Sequence, residues 1–208
     1  MNDMLPECAD VNHKPIDRPV DRVLAGQPTS DGAGVRLTRY IGSQLLSDLD
    51  PFLLLDFFES DNPDDYIAGF PSHPHRGFET VTYLLAGKMR HGDSAGHSGV
   101  IESGGIQWMT AGRGIIHSEM PEQENGRLAG FQLWVNLPPE KQLCEPAYHD
   151  YPNDEIPVES RLSGAEVGGI AGVTSEGMKG PVSEVVTSAC ELDSDLPANM
   201  LVEEGTSQ

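Results

Sequence analysis

Residues 73–86 read His-Pro-His-Arg-Gly-Phe-Glu-Thr-Val-Thr-Tyr-Leu-Leu-Ala. The run from Phe78 to Ala86 is dense in β-branched and aromatic side chains, which suit a pleated, half-buried strand. Just ahead of it stand His73 and His75, and residues two apart on an extended strand point to one face. A second pair with the same spacing, His117 and Glu119, closes the stretch from Ile115 to Met120. If the two stretches lie side by side in a barrel, three imidazoles and one carboxylate meet at one point. That donor set suits a redox-capable first-row metal better than a structural zinc, because no thiolate takes part.

Parity adds a rival carboxylate. His73, His75, Glu79, Val81 and Tyr83 would share one face of an unbroken strand, the inside of the barrel, with Thr80 and Thr82 outside. On that reading Glu79 competes with Glu119. Gly77 lies between His75 and Glu79 and can host a bulge that resets the alternation. Spacing alone therefore leaves both glutamates open.

The flanking sequence repeats the β texture. Val35, Leu37, Arg39 and Ile41 begin with alternation, and Phe52 to Phe58 is an apolar run of strand length. Gly87-Lys88 looks like a hairpin tip, with Met89-Arg90-His91 starting the return strand. Ile106 to Thr110 and Ile115 to Met120 read as short strands around the turn Ala111-Gly112-Arg113-Gly114. Phe131 to Leu137 alternates until Pro138-Pro139 ends it. Short strands at close spacing, punctuated by Gly and Pro, predict an all-β sandwich or jelly-roll barrel. Trp108 and Trp134 are expected in its core. His91 and His97, beside a glycine-rich turn, are expected to be solvated or hydrogen-bonded, and His13 and His149 to be exposed.

Outside this block the texture is looser. Residues 1–19 carry Pro6, Pro15 and Pro19 and read as an N-terminal arm, ahead of a domain over 20–140. Residues 141–165, with Pro146, Pro152 and Pro157, read as a surface linker. Weak strand signals recur at Val167 to Ile170 and Val182 to Val186, before an acidic tail.

Charge excludes some partners. The 13 Lys and Arg stand against 33 Asp and Glu, a formal charge of −20. Such a surface repels phosphate backbones and anionic membranes, so neither nucleic acid nor membrane is expected. Three widely spaced cysteines, Cys8, Cys144 and Cys190, form no Cys-x-x-Cys and suggest free thiols. The first residues lack the apolar core of a signal peptide, and no run approaches the roughly 18 apolar residues of a membrane helix. A cytoplasmic location is expected.

The stretches HPHRGFETVTYLLAGKMRHGDSAGHSG (73–99), QWMTAGRGIIHSEMP (107–121) and FQLWVNLPPEKQ (131–142) closely resemble the pirin family of the cupin superfamily. The resemblance runs from about Asp50 to Pro157. It implies a cupin double-stranded β-helix, or jelly-roll, barrel over 20–140, and a second cupin domain of which 166–208 would be an incomplete start. A barrel left without that neighbour would expose apolar surface, which makes a homodimer an expected assembly.

The resemblance also implies one metal, usually iron, held by His73, His75, His117 and Glu119. Iron(II) is the first expectation; manganese, nickel, copper and cobalt accept the same donors. Glu79 then becomes a supporting residue, either structural or able to orient a ligand imidazole. Several pirins resemble quercetin 2,3-dioxygenases, which open the central ring of a flavonol with dioxygen and release carbon monoxide. That implies an oxidoreductase acting on a small aromatic substrate, with Glu119 as the catalytic base. The other activity implied is regulatory: a protein partner, either a transcription factor or a metabolic enzyme, docks according to the oxidation state of the iron.

Overall fold

The structure is a computed structural model and describes residues 22–122, 126–162, 164–174 and 177–182. The expected arm over 1–19, His13, Cys8, Cys190 and the acidic tail lie outside the described residues. So does most of the expected strand at 182–186.

Two antiparallel sheets face each other. The larger has seven strands in the order β1(Gln27–Asp31), β2(Val35–Ile41), β3(Phe52–Ser60), β10(Leu128–Asn136), β5(Phe78–Ala86), β8(Ile106–Thr110), β11(Ala147–Tyr151). The smaller has four, in the order β4(Phe70–His75), β9(Ile115–Pro121), β6(Lys88–Asp93), β7(Ser98–Glu102). A short hairpin, β12(Val158–Ser160) with β13(Glu166–Gly168), follows. Regular helix among the described residues is limited to two single 3₁₀ turns, Pro63–Asp65 and Asn153–Glu155. Among the described residues no helix is long and apolar enough to cross a membrane. The expected all-β jelly-roll is the observed architecture.

The inner faces of both sheets form the core. Leu37, Phe58, Leu84 and Leu128 from the large sheet meet Met89 and Ile101 from the small one. Each such side chain contributes about 1.5–3 kcal/mol on burial. This apolar cluster fills one part of the interior. The large sheet is also covered on its outside, where Val81, Ile106, Trp108 and Val135 pack with Ile156, Ile170 and Val182. Two covered faces explain why all five residues of β8 are buried: a strand between two apolar layers loses its alternation of exposure.

The chain changes sheets at Gly77. β4 belongs to the small sheet and β5 to the large one, and between them Gly77 takes φ +83°, a conformation side chains with a Cβ rarely adopt. The break resets the alternation. Thr82 faces inward, where its hydroxyl reaches Glu119. Val81, of opposite parity, lies in the outer cluster with Trp108. The unbroken-strand expectation, with Glu79 inside and the threonines outside, is therefore reversed.

Gly87 differs from expectation as well. β5 pairs with β10 and β8, whereas β6 pairs with β7 and β9. The expected hairpin tip is thus a corner that carries the chain to the other sheet. Ala147–Tyr151, inside the stretch expected to be linker, is an edge strand hydrogen-bonded to β8.

Candidate metal centre

β4 and β9 are antiparallel neighbours with His73 directly opposite His117. Their shared inward face carries His75, His117 and Glu119, all buried, while the intervening Ile116 is half exposed. The turn ahead of β9 is tied to the break ahead of β5, because the Gly77 N–H donates to the Gly112 carbonyl at 2.8 Å. Gly112 itself takes φ +49° and backs onto the Cys144 carbonyl so closely that a Cβ would lie 2.3 Å from it. The two ends that deliver His75 and His117 are thereby fixed to each other.

The three imidazoles converge. His73 Nε2 lies 2.9 Å from His75 Nε2 and 3.0 Å from His117 Nε2. One ring nitrogen from each of the three falls within 4.8 Å of the other two. Two nitrogens bound to one metal at about 2.1 Å and at right angles lie about 3.0 Å apart, so the spacing fits adjacent coordination positions. His73 is also held in the correct tautomer. Its Nδ1–H donates to the Pro71 carbonyl at 2.7 Å, which leaves the Nε2 lone pair facing its neighbours.

Electrostatics favour neutral nitrogen donors. Burial, followed by repulsion from His117 and His73, pushes His75 down to about 3. Burial, followed by His73 and His91, pushes His117 down to about 3 against an opposing effect of Asp93. Both rings thus present lone pairs at neutral pH, the form that binds a metal. The donor set fits a borderline first-row cation.

Glu119 lines the same cavity as His73 and His75. Its carboxylate is not one of the three mutually close donors; instead Oε1 accepts a hydrogen bond from the Thr82 hydroxyl at 2.7 Å. Burial raises its pKa above the usual carboxylate value, opposed by the Thr82 hydrogen bond and by the His73 and His91 charges. Glu79 lies on the other face of the large sheet and accepts from the Thr110 hydroxyl at 2.7 Å. It is placed to brace the sheet rather than an imidazole.

The cavity over the histidines has a volume of about 600 Å³. Leu54, Phe58, Phe70, Phe78 and Trp134 supply its apolar wall. The Trp134 ring packs on Phe78 at 4.7 Å and sets its edge toward His75 at 5.1 Å. Trp134 is therefore a wall of the site and not the core residue expected; Trp108 is in the core. Asp56 also lines the cavity, but Arg39 holds both its oxygens, through Nε at 2.8 Å and a terminal nitrogen at 2.7 Å.

The remaining histidines have partners outside the cluster. His91 is buried and its Nε2 contacts Asp150 at 2.9 Å, joining the two sheets, and His97 is paired with Asp93 at 2.7 Å. His149 is exposed. Sequence reasoning missed Thr82 and Gln132, both drawn to the site by cross-strand register; no local motif marks either.

Known proteins resemble this chain in sequence and in fold. The Pirin family model matches residues 34–135. A pirin-like protein of Caulobacter vibrioides is 55% identical over 187 residues, covering 90% of this chain and 68% of that protein. A solved quercetin 2,3-dioxygenase of Acinetobacter baumannii superposes with a TM-score of 0.67 at 34% identity, over 76% of this chain and 57% of that one. A bacterial pirin of Escherichia coli, solved with nickel(II), gives a TM-score of 0.50 at 26% identity over 60% of this chain and 53% of that one. The chain spans about half the length of several other curated relatives, 49% and 45% in two cases. The barrel is a cupin barrel, and the chain belongs to the pirin family.

Proposed function

We propose that the protein is a metal-dependent dioxygenase of the quercetin 2,3-dioxygenase type, acting on a flavonol-like substrate, with iron(II) as its metal. The observation that carries this reading is the convergence of three imidazole nitrogens beside an aromatic-walled cavity that a buried carboxylate also lines. His73, His75, His117 and Glu119 are the proposed ligands. A divalent first-row metal held there supplies Lewis acidity toward a substrate hydroxyl and a path for electrons to dioxygen.

The protein's own groups do the rest. Phe78 and Trp134 offer flat surface against which an aromatic ring system stacks. The cavity size falls within the range for small-molecule sites, about 300–1,000 Å³. Glu119 is the proposed base for the substrate hydroxyl proton. Burial makes its carboxylate more basic than an ordinary glutamate, which favours accepting that proton. Arg39 pairs with both carboxylates of the cavity wall away from the histidines, Asp56 and Asp31.

The assay is loss of flavonol absorbance by metal-loaded protein with and without dioxygen. Consumption that requires oxygen is expected; a purely regulatory iron protein would consume no flavonol under either atmosphere. With metal content held equal, Glu119→Gln should slow ring opening by about 100-fold or more, the usual contribution of a positioned base. Full activity in that variant would remove Glu119 from the proposed role.

A further inference from the structure

Glu119 reaches across the barrel. It lies on β9 of the small sheet, while Thr82 and Gln132 lie on β5 and β10 of the large one, directly opposite each other in register. The Thr82 hydroxyl oxygen stands 2.7 Å from Glu119 Oε1 and 2.7 Å from Gln132 Oε1. A hydroxyl carries one proton, so it cannot donate to a carboxylate and to an amide oxygen together. With the amide turned so that its nitrogen faces Thr82, each of the two contacts pairs one donor with one acceptor. The Gln132 N–H donates to Thr82, and Thr82 donates to Glu119.

This short chain has the form of a support for the carboxylate. Thr82 is 1% exposed and Glu119 4%, so the bond between them is shielded from water and charge-assisted. Valine has nearly the shape of threonine, and at this inward position the hydroxyl is what threonine adds. Gln132 is half-buried at the cavity wall, where a polar side chain would otherwise interrupt an apolar lining.

We propose that Thr82 and Gln132 are positioning residues that hold Glu119 by Oε1, so that the carboxylate meets the metal through its other oxygen alone. The proposal rests on the reading of His73, His75, His117 and Glu119 as metal ligands. It makes Glu119 a one-oxygen donor whose orientation is set from the opposite sheet, by two residues that do not touch the metal.

The test uses the full chain and copper(II) alone as probe, with affinity measured by chelator competition and the ligand field read by electron paramagnetic resonance. Thr82→Val should lower affinity about 10-fold or more, as outer partners of ligands typically do, and should shift the spectrum. Thr82→Ser, which restores the hydroxyl, should bind within about twofold of wild type. Gln132→Leu, at the more tolerant cavity wall, should move both readouts in the direction of Thr82→Val and carries the test if Thr82→Val does not fold. Wild-type affinity and spectrum in Thr82→Val, or in Gln132→Leu where that variant stands in, overturn the proposal while the ligand reading stands. A serine variant as weak as the valine variant overturns it too. A wild-type chain that binds no copper removes the ligand reading itself, and this proposal with it.

Discussion

His117→Ala loses stoichiometric metal binding. His117 is 1% exposed and sits directly across from His73, so alanine there leaves one side of the cluster without a protein donor. Removing an outer partner of a ligand costs about 10–100-fold in affinity, and removing a ligand nitrogen should exceed that. The expected loss is therefore more than about 100-fold, measured by chelator competition on the metal-free protein. The barrel should still form, because its apolar cluster of Leu84, Met89, Ile101 and Leu128 includes none of the histidines; circular dichroism checks this. A variant that keeps one tightly held metal per chain would show that the three imidazoles are not the centre.

The metal-free protein should lose stability steeply as pH falls from about 4.5 to 3. The sign follows from which state binds protons. An unfolded histidine takes its proton near 6.5, but in the fold burial first, then charged neighbours, keeps His75 and His117 neutral down to about 3. Between those values the unfolded chain holds more protons, so stability falls as pH drops. One pH unit corresponds to about 1.4 kcal/mol per imidazole. Water at the cavity mouth screens part of this, which leaves a total of a few kcal/mol.

The carboxyls act in two directions. Burial raises Glu79, Glu119 and Asp56. Their contribution is full below their unfolded values and is lost as pH rises through the folded ones, so it opposes the histidines above about 4.5. Asp31, Asp93 and Asp150 are held low: burial pulls upward, but hydrogen bonds from Arg39, His97 and His91 respectively prevail. Their contribution is lost as pH falls through the lowered values, which deepens the acid loss. Urea unfolding of metal-free protein between pH 3 and 7 measures the curve. The double variant His75→Gln, His117→Gln should flatten its acid limb; an unchanged limb would contradict the assignment.

The three-histidine cluster was legible because its motifs are short and its spacing is mechanical. His-x-His and His-x-Glu each put two donors on one face of a strand, and β4 and β9 are strands. The partition between sheets was not legible. Periodicity carried across Gly77 puts Glu79 beside the imidazoles, whereas the positive φ there sends the chain into the other sheet and turns Thr82 inward. Trp134 alternates correctly, but the same inward face lines both core and cavity, and alternation does not separate them. Ala147–Tyr151 escaped because prolines surround it and its pattern is polar, as suits an edge strand beside β8. Thr82 and Gln132 meet Glu119 only through register between distant strands, which no local reading supplies.

Metal analysis combined with X-ray absorption at the metal edge, on one sample of purified full chain, tests the central claim most directly. The structure predicts one first-row metal per chain with the scattering signature of imidazole nitrogens, about three of them, in its nearest shell. A chain that holds no metal after exposure to iron(II), nickel(II) and copper(II), or a metal whose shell lacks imidazole, would contradict it.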